Sequence, residues 1–98
     1  METLLEEREY HALADAALAR IEACLEAADV DFEHAAGGIL EVELDDGSQI
    51  IVNKQSAARE IWVAAKSGGF HYRWRDGAWV DTRSGEELQD AMSRLAGL

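Results

Sequence analysis

The sequence is poor in several residue types, and each scarcity excludes a class of protein. It contains no proline. It has a single cysteine, Cys24, so an intramolecular disulfide and a cysteine-rich zinc site are both excluded. Such cysteine usage favours a reducing compartment and predicts a cytoplasmic location. No apolar run approaches the ~20 residues of a membrane-spanning helix. The acidic N-terminus lacks the basic segment of a secretory signal or transit peptide, so we expect neither a membrane segment nor a leader.

Basic residues are also scarce. Nine Lys and Arg accompany twenty Asp and Glu, which gives a formal net charge of −11. A protein that neutralises a phosphate backbone needs the opposite sign, so nucleic acid is not an expected partner. The charge favours cationic partners, either metal ions or a basic protein surface. Plain solubility is the alternative explanation.

The acidic residues are concentrated in the first half of the chain. Residues 1–47 hold fourteen acidic and two basic residues, a net charge of −12. Residues 48–98 hold six acidic and seven basic residues. This asymmetry indicates a one-sided electrostatic surface more than general solvation.

Two segments have the apolar spacing of amphipathic helices. Residues 3–28 place apolar side chains at i, i+3, i+4 and i+7, with no Gly or Pro to interrupt them. Near the C-terminus the same spacing occurs at Leu88, Ala91, Met92 and Leu95. Thr3 with Glu6, and Ser84 with Glu87, have the form of capping boxes and predict where the two helices begin.

Between these helices the apolar period changes to two, which is typical of strands. Five or six alternating runs follow one another from Val30 to Val80, and Asp46-Gly47 and Asp76-Gly77 are hairpin signals. The predicted fold is α+β: a single domain over residues 1–98, built as a two-layer sandwich. Two helices, N- and C-terminal, pack on one face of a five- to six-stranded antiparallel sheet, and the other face is open to water.

An acidic stripe follows one side of the first predicted helix. On a wheel of about 100° per residue the stripe borders the buried face. From the first strand, two acids point to one side and are expected to extend the same surface. We call this set the acidic ridge: Glu7, His11, Asp15, Glu22, Glu26, Asp29, Asp31 and Glu33. Carboxylates and imidazole are suitable ligands for iron, so the ridge is a candidate iron site. The alternative interpretation is a solvated charged helix face, in which His11 pairs with Asp15.

The ridge lacks the motifs of a preorganised site. There is no HExxH motif and no EF-hand loop, so metal binding is expected to be weak and exposed. No GxSxG, Walker A or GxGxxG motif is present. Cys24 lies near the apolar side of the helix and is expected in the core. The sequence therefore predicts a binding protein and not an enzyme, without an organic cofactor.

Trp62 is predicted to lie on the open face of the sheet. It alternates with Ile61 and Val63, which are expected to face the helices. An exposed tryptophan on a sheet is a plausible interface anchor, and shielding of the sheet is the alternative explanation.

Residues 53–72, NKQSAAREIWVAAKSGGFHY, resemble the signature region of the bacterial frataxins, the CyaY branch of the family. The segments Gly37–Leu40 and Asp46–Asn53 also match, as do Leu13-Ala14-Asp15 and Ile21-Glu22 in the first helix. The similarity runs the length of the chain.

The resemblance implies a function in iron–sulfur cluster assembly. Frataxins bind ferrous and ferric iron weakly through acids of the first helix and first strand. Bacterial members also bind the cysteine desulfurase through this surface and regulate sulfur supply, donate iron, or do both. By position, the metal residues that the resemblance implies are those of the acidic ridge other than Asp15, with Asp45 nearby. The implied partner contacts are Glu22, Glu26, Asp31, Glu33, Asn53 and Trp62.

The cluster scaffold protein is a further implied partner. We expect a monomer and leave iron-driven oligomerisation open. Arg59 stands where bacterial members often have histidine, and Ala23 and Ala27 stand where the ridge is sometimes acidic, so metal capacity is expected to be reduced. The chain ends at Leu98, soon after the second helix, and lacks a tail that packs between the helices in some members, which implies modest stability.

Two alternatives to an iron-binding regulator remain. In the first, the protein is a metal-independent acidic adaptor whose carboxylates bind only a basic partner protein. The second, an iron-oxidising enzyme, is the least supported, because the ridge encodes neither a preorganised ligand set nor a buried site.

Overall fold

A computed structural model of the protein describes residues 5–98. Helix α1 spans Glu7–Ala27 and helix α2 spans Leu88–Ala96. Between them lie six strands: β1 Asp31–Ala35, β2 Ile39–Glu43, β3 Gln49–Gln55, β4 Glu60–Ala65, β5 Gly68–Arg75 and β6 Ala78–Asp81. A short 3-10 turn at Ser56–Ala58 links β3 to β4.

The six strands form one antiparallel sheet in which each strand pairs with its neighbour in the sequence, in the order β1 to β6. The turn between β5 and β6 shows how local sequence sets this register. Asp76 and Gly77 have φ values of 51° and 83°, the left-handed conformation that a tight hairpin turn requires at both central positions. Arg75 therefore pairs with Ala78, and Trp74 with Trp79.

Both helices cover the same face of the sheet. The fully buried side chains come from α1, from α2 and from alternate positions of the strands, which is the arrangement the change of period predicts. The core contains Tyr10, Ala14, Ala17, Leu18, Ile21, Leu25, Leu40, Val42, Ile50, Val52, Ile61, Val63, Tyr72, Trp79, Leu88, Ala91 and Met92. The predicted α+β sandwich of two helices on an antiparallel sheet is confirmed, with six strands.

The predicted helix starts are wrong. Helix α1 begins at Glu7 with Glu6 as its N-cap, and Thr3 of the predicted capping box lies outside the described residues. Helix α2 begins at Leu88, and its N-cap is Glu87 without a side-chain hydrogen bond. Ser84 instead accepts a hydrogen bond from the Glu86 amide at 3.1 Å. The Ser84 hydroxyl thus stabilises the loop before the helix, a role that competes with capping for this residue type.

Cys24 is exposed on α1, so the predicted core position is wrong. The buried stripe of this helix passes through Ile21 and Leu25 and leaves Cys24 outside it. Among the described residues, neither helix is long and apolar enough to cross a membrane.

Candidate functional site

The N-terminal half of the ridge is interrupted by a lysine from the sheet. Glu7 lies 3.9 Å from the His11 imidazole, one helical turn away. Asp15 Oδ1 accepts a hydrogen bond from Lys54 Nζ at 2.6 Å. Lys54 lies near the end of β3, on the face that the helix covers, because its cross-strand partner is the core residue Ile61. Asp15 therefore pairs with Lys54, and His11 lies next to Glu7, not Asp15.

The C-terminal half of the ridge contacts the edge strand. Glu22 Oε1 lies 2.8 Å from His34 Nε2 of β1, and the His34 imidazole is largely exposed. Glu26 and Asp29 follow on α1 and in the loop after it, and both are exposed. Asp29 has a φ of 58°, because the chain turns there in the left-handed conformation to enter β1. The helix thus brings Glu22 against the strand.

Asp31 and Glu33 do not extend the helix stripe, so that expectation is wrong. Phe32 packs against the core, and strand alternation therefore turns Asp31 and Glu33 to the opposite face of the sheet. There they stand directly across from two further acids of β2, in the pairs Asp31–Glu43 and Glu33–Glu41. These four carboxylates and Gln49 line a shallow cavity of about 260 Å³, which also touches Phe32.

The acidic surface therefore consists of two groups, one on each face of the sheet at the edge strand β1. The first group is the stripe of α1, and the second is the quartet Asp31, Glu33, Glu41 and Glu43. Within residues 5–98 the acids, histidines and cysteine do not gather into any group of three or more that could hold a metal ion. The described side chains provide carboxylate oxygens and imidazole nitrogens, which suit iron chemically, but as an open surface and not as a cage.

The open face of the sheet carries Trp62 in its middle. Trp62 is half-buried, and its cross-strand neighbours are Asn53 of β3 and His71 of β5. The Trp62 and His71 rings are stacked, with centroids 4.4 Å apart and planes 10° from parallel. Trp62 thus lies on the predicted face, where it both shields the sheet and presents a ring surface.

Glu60 lies beside this stack and is buried. Its carboxylate accepts hydrogen bonds from Trp62 Nε1 at 2.8 Å and from Arg73 at 2.7 Å. Burial raises the pKa of Glu60, but these two hydrogen bonds and the positive charge of Arg73 outweigh burial and lower it overall. The carboxylate therefore stays ionised at neutral pH, although it is largely shielded from water.

Sequence reasoning missed several residues of these surfaces. Glu41, Glu43, Lys54, His34 and His71 were not assigned to either surface. The hairpin register contained a signal: once Gly37 and Gly38 form the turn, the two acids of β1 must oppose Glu43 and Glu41. The contacts of Lys54 and His34 with α1 had no local signal, because they join residues 39 and 12 positions apart.

A sequence model of the frataxin-like domain matches residues 3–97. The chain belongs to the frataxin-like family. An iron–sulfur cluster assembly protein CyaY from Dechloromonas aromatica is 56% identical over 94 residues, which cover 94% of this chain and 90% of the relative. The protein of the same name from Vibrio cholerae is 48% identical over 86 residues, 86% of this chain and 82% of the relative.

Solved frataxins have the same fold. Frataxin from Psychromonas ingrahamii, described as a model for stability modulation within the CyaY protein family, superposes with a TM-score of 0.83 at 32% identity, covering 92% of this chain and 87% of its own. Trimeric yeast frataxin complexed with ferrous iron superposes with a TM-score of 0.67 at 28% identity, covering 96% of this chain and 85% of its own. Membership in the frataxin-like family agrees with the resemblance of residues 53–72.

Proposed function

We propose that this protein binds iron weakly on its acidic surface and acts in iron–sulfur cluster assembly. It does so as a regulator of the cysteine desulfurase, as an iron donor, or as both. The observation that carries the proposal is the frataxin-like family together with the density of carboxylates at α1 and at the β1–β2 edge. Relatives are named for cluster assembly, and the yeast structure contains ferrous iron.

Electrostatics supports cation binding at the β1–β2 edge. Like charges directly opposite each other in an antiparallel pair destabilise the sheet, and this edge contains two such pairs, Asp31–Glu43 and Glu33–Glu41. A bound cation or a basic protein surface would relieve this repulsion. Because the carboxylates are spread over an open surface, binding is expected to be weak and reversible, which suits transfer or regulation better than redox catalysis. We therefore propose a non-catalytic role.

The same surfaces serve the partner proteins in this proposal. The desulfurase contacts Glu22, Glu26, Asp31 and Glu33 through a basic patch, and Asn53 and Trp62 of the open face contribute to partner binding, to the desulfurase or the cluster scaffold. The single cysteine fits a reducing compartment, so we place this function in the cytoplasm.

One observation favours a second candidate, the metal-independent acidic adaptor. Two ridge acids already have basic partners, since Asp15 binds Lys54 and Glu22 contacts His34. A metal ion would have to compete with these bases for the two carboxylates. A macromolecular basic patch need not, because it can engage the remaining exposed acids at longer range.

The deciding experiment is a titration of ¹⁵N-labelled protein with ferrous iron under anaerobic conditions, followed by NMR. Paramagnetic broadening confined to the acidic ridge, with Glu41 and Glu43, would support iron binding. The variant Asp31→Asn/Glu33→Gln should then lose the broadening at the β1–β2 edge. Its matched control, Asp76→Asn/Asp90→Asn, makes the same change in charge at exposed residues elsewhere and should retain it.

Absence of any broadening at millimolar iron would contradict the metal proposal and leave the adaptor. Binding of purified cysteine desulfurase, measured by calorimetry with and without iron, tests the partner separately. If the desulfurase does not bind in either condition, the proposed place in cluster assembly is wrong.

A further inference from the structure

The open face of the sheet contains a carboxylate with almost no access to water. The Glu60 side chain is 8% exposed, although it lies on the face that the helices leave uncovered. Glutamate is rarely buried unless it is paired. Glu60 is paired at both oxygens: Oε1 accepts the Trp62 indole N–H at 2.8 Å, and Oε2 accepts an Arg73 N–H at 2.7 Å.

Strand register places this carboxylate at the edge of the Trp62–His71 stack. Glu60 is directly opposite Arg73, and two residues further along the same face Trp62 is directly opposite His71. His71 Nδ1 also lies 3.8 Å from Glu60 Oε1. Glu60 therefore holds the indole by its N–H while His71 covers one face of the ring, and together they restrict the rotation of a side chain that would otherwise be mobile.

We propose that Glu60 is a positioning residue, which fixes Trp62 and His71 as a rigid, flat platform on which the cysteine desulfurase docks. The docking part rests on the proposed function, whereas the positioning part does not. A side chain that is ordered before binding loses less conformational entropy in the complex, so a pre-positioned tryptophan binds more tightly than a mobile one.

A second contact ties the platform to the acidic helix. The Tyr10 hydroxyl of α1, which is fully buried, donates to the Glu60 carbonyl oxygen at 2.7 Å. The backbone of Glu60 thus anchors the helix that carries the ridge, while its side chain anchors Trp62 on the opposite face of the sheet. One residue therefore fixes both predicted contact surfaces relative to each other.

The alternative explanation is that the Glu60–Arg73 ion pair only stabilises the fold and has no role in positioning the indole. The two explanations differ in what happens to Trp62. If Glu60 positions the ring, the Trp62 indole resonance must report on the Glu60 side chain and on its charge, whatever the effect on stability. NMR of the free protein measures this without a partner.

The first experiment follows the Trp62 indole N–H, assigned with Trp62→Phe, in Glu60→Ala and Glu60→Gln. Glu60→Ala should shift the resonance and speed its exchange with water. Glu60→Gln keeps an oxygen acceptor and should retain the slow exchange, which guards against a Glu60→Ala protein that fails to fold. The control Glu43→Gln neutralises another acid of the same face, two strands away, and should leave the resonance unchanged. An unchanged resonance in both Glu60 variants would overturn the proposal.

The same resonance should show a pH profile. The groups that face the Glu60 carboxylate are Trp62 on its own strand and His71 and Arg73 on β5, while Tyr10 of α1 binds the Glu60 backbone carbonyl from the other face of the sheet. In the wild type the indole shift should titrate below pH 4.5, the usual value for Glu, and this step should vanish in Glu60→Gln. Arg73→Gln should move the step to higher pH, because a stabilising cation is lost. A step that persists in Glu60→Gln would contradict the proposal.

The last experiment measures desulfurase binding in a double-mutant cycle. Glu60→Ala should weaken binding about tenfold in the wild-type background and have no effect in a Trp62→Ala background, because Glu60 acts through Trp62. Equal losses in both backgrounds would overturn the docking role. If wild-type protein does not bind the desulfurase, the proposed function fails, and the NMR result alone decides whether Glu60 positions Trp62.

Discussion

Lys54 Nζ lies 2.6 Å from Asp15 Oδ1, so the acidic ridge carries its own cation, contributed by the sheet. The Lys54 side chain is only 18% exposed. Its stem passes beneath the turn between β1 and β2, where a Cβ at Gly38 would lie 3.1 Å from Lys54 Cε. Glycine at this position therefore both adopts the positive φ of 76° and leaves room for the lysine. A metal ion at Asp15 therefore competes with this ammonium group for the carboxylate.

Lys54→Met should strengthen cation binding at the N-terminal half of the ridge. The substitution retains the apolar stem but releases Asp15. We therefore expect the affinity for ferrous iron at His11 and Asp15 to rise about two- to fivefold, which corresponds to an ion pair worth about 0.4 to 1 kcal/mol. Anaerobic NMR titration measures it residue by residue. Lys66→Met is the matched control, because it removes the same charge from an exposed pair with Asp46. Equal gains in both variants would show that net charge, not the Lys54–Asp15 contact, sets the affinity.

Cys24 should react as an exposed thiol in the native protein. Because its side chain lies outside the core, a disulfide reagent should modify it at a rate close to that in urea, without prior unfolding. Cys24→Ser should abolish the reaction and change the free energy of unfolding by less than about 0.5 kcal/mol, as is usual at the surface. Protection of the thiol in the native state would contradict the exposed position.

Loss of the hydroxyl group should change the free energy of unfolding differently at the two fully buried tyrosines. Tyr10 donates to the Glu60 carbonyl, whereas the Tyr72 hydroxyl has no hydrogen-bond partner among the described residues. Tyr10→Phe should lower the free energy of unfolding by about 1 kcal/mol, the net value of such a bond. Tyr72→Phe removes an unsatisfied buried group and should leave stability unchanged or raise it. Urea denaturation measures both, and an equal loss in the two variants would refute the assignment.

Tyr72 should also make the fold sensitive to alkali. Burial, with the negative charges of Asp81 and Glu86, raises the pKa of Tyr72 to about 12 from 10.0. The folded protein thus holds this proton more tightly than the unfolded chain. The stability linked to the neutral phenol is therefore complete below pH 10 and is lost as pH rises through 10 towards 12.

Tyr72→Phe removes this titration. Its stability relative to the wild type should therefore increase between about pH 9 and pH 11.5, measured by urea denaturation at each pH. The Tyr10 pKa is also raised, chiefly by burial, but Tyr10 titrates in both proteins and its contribution is expected to cancel in the comparison. A pH-independent difference would contradict the shift.

Most of the fold follows from local patterns. The apolar spacing of α1 predicted its buried positions at Tyr10, Ala14 and Ile21, and the hairpin signal Asp76-Gly77 predicted the β5–β6 turn. The capping box at Ser84 failed because a serine three residues before an acid occurs in loops as well as at helix starts. Ser84 shows this, since its hydroxyl stabilises the preceding loop.

The candidate surfaces were predicted less completely. The acidic stripe of α1 and the place of Trp62 on the open face follow from the helical and strand periods. The roles of these residues in binding metal and partner stay predictions. Asp31 and Glu33 were assigned to the wrong side, although their alternation with Val30 and Phe32, which pack against the core, turns them away from the face that α1 covers.

The sequence by itself determined the order of elements, the hairpin turns, the acidic excess of the first half and the resemblance to frataxins, because these depend on neighbouring residues and on composition. Only the tertiary structure decided that Lys54 pairs with Asp15, that His34 meets Glu22 and that Glu60 is buried at the edge of the Trp62 indole. Those contacts arise where the helix crosses the sheet and where strands pair in register. A side chain's burial and its ionic partner are set by residues distant in sequence, which no local pattern specifies.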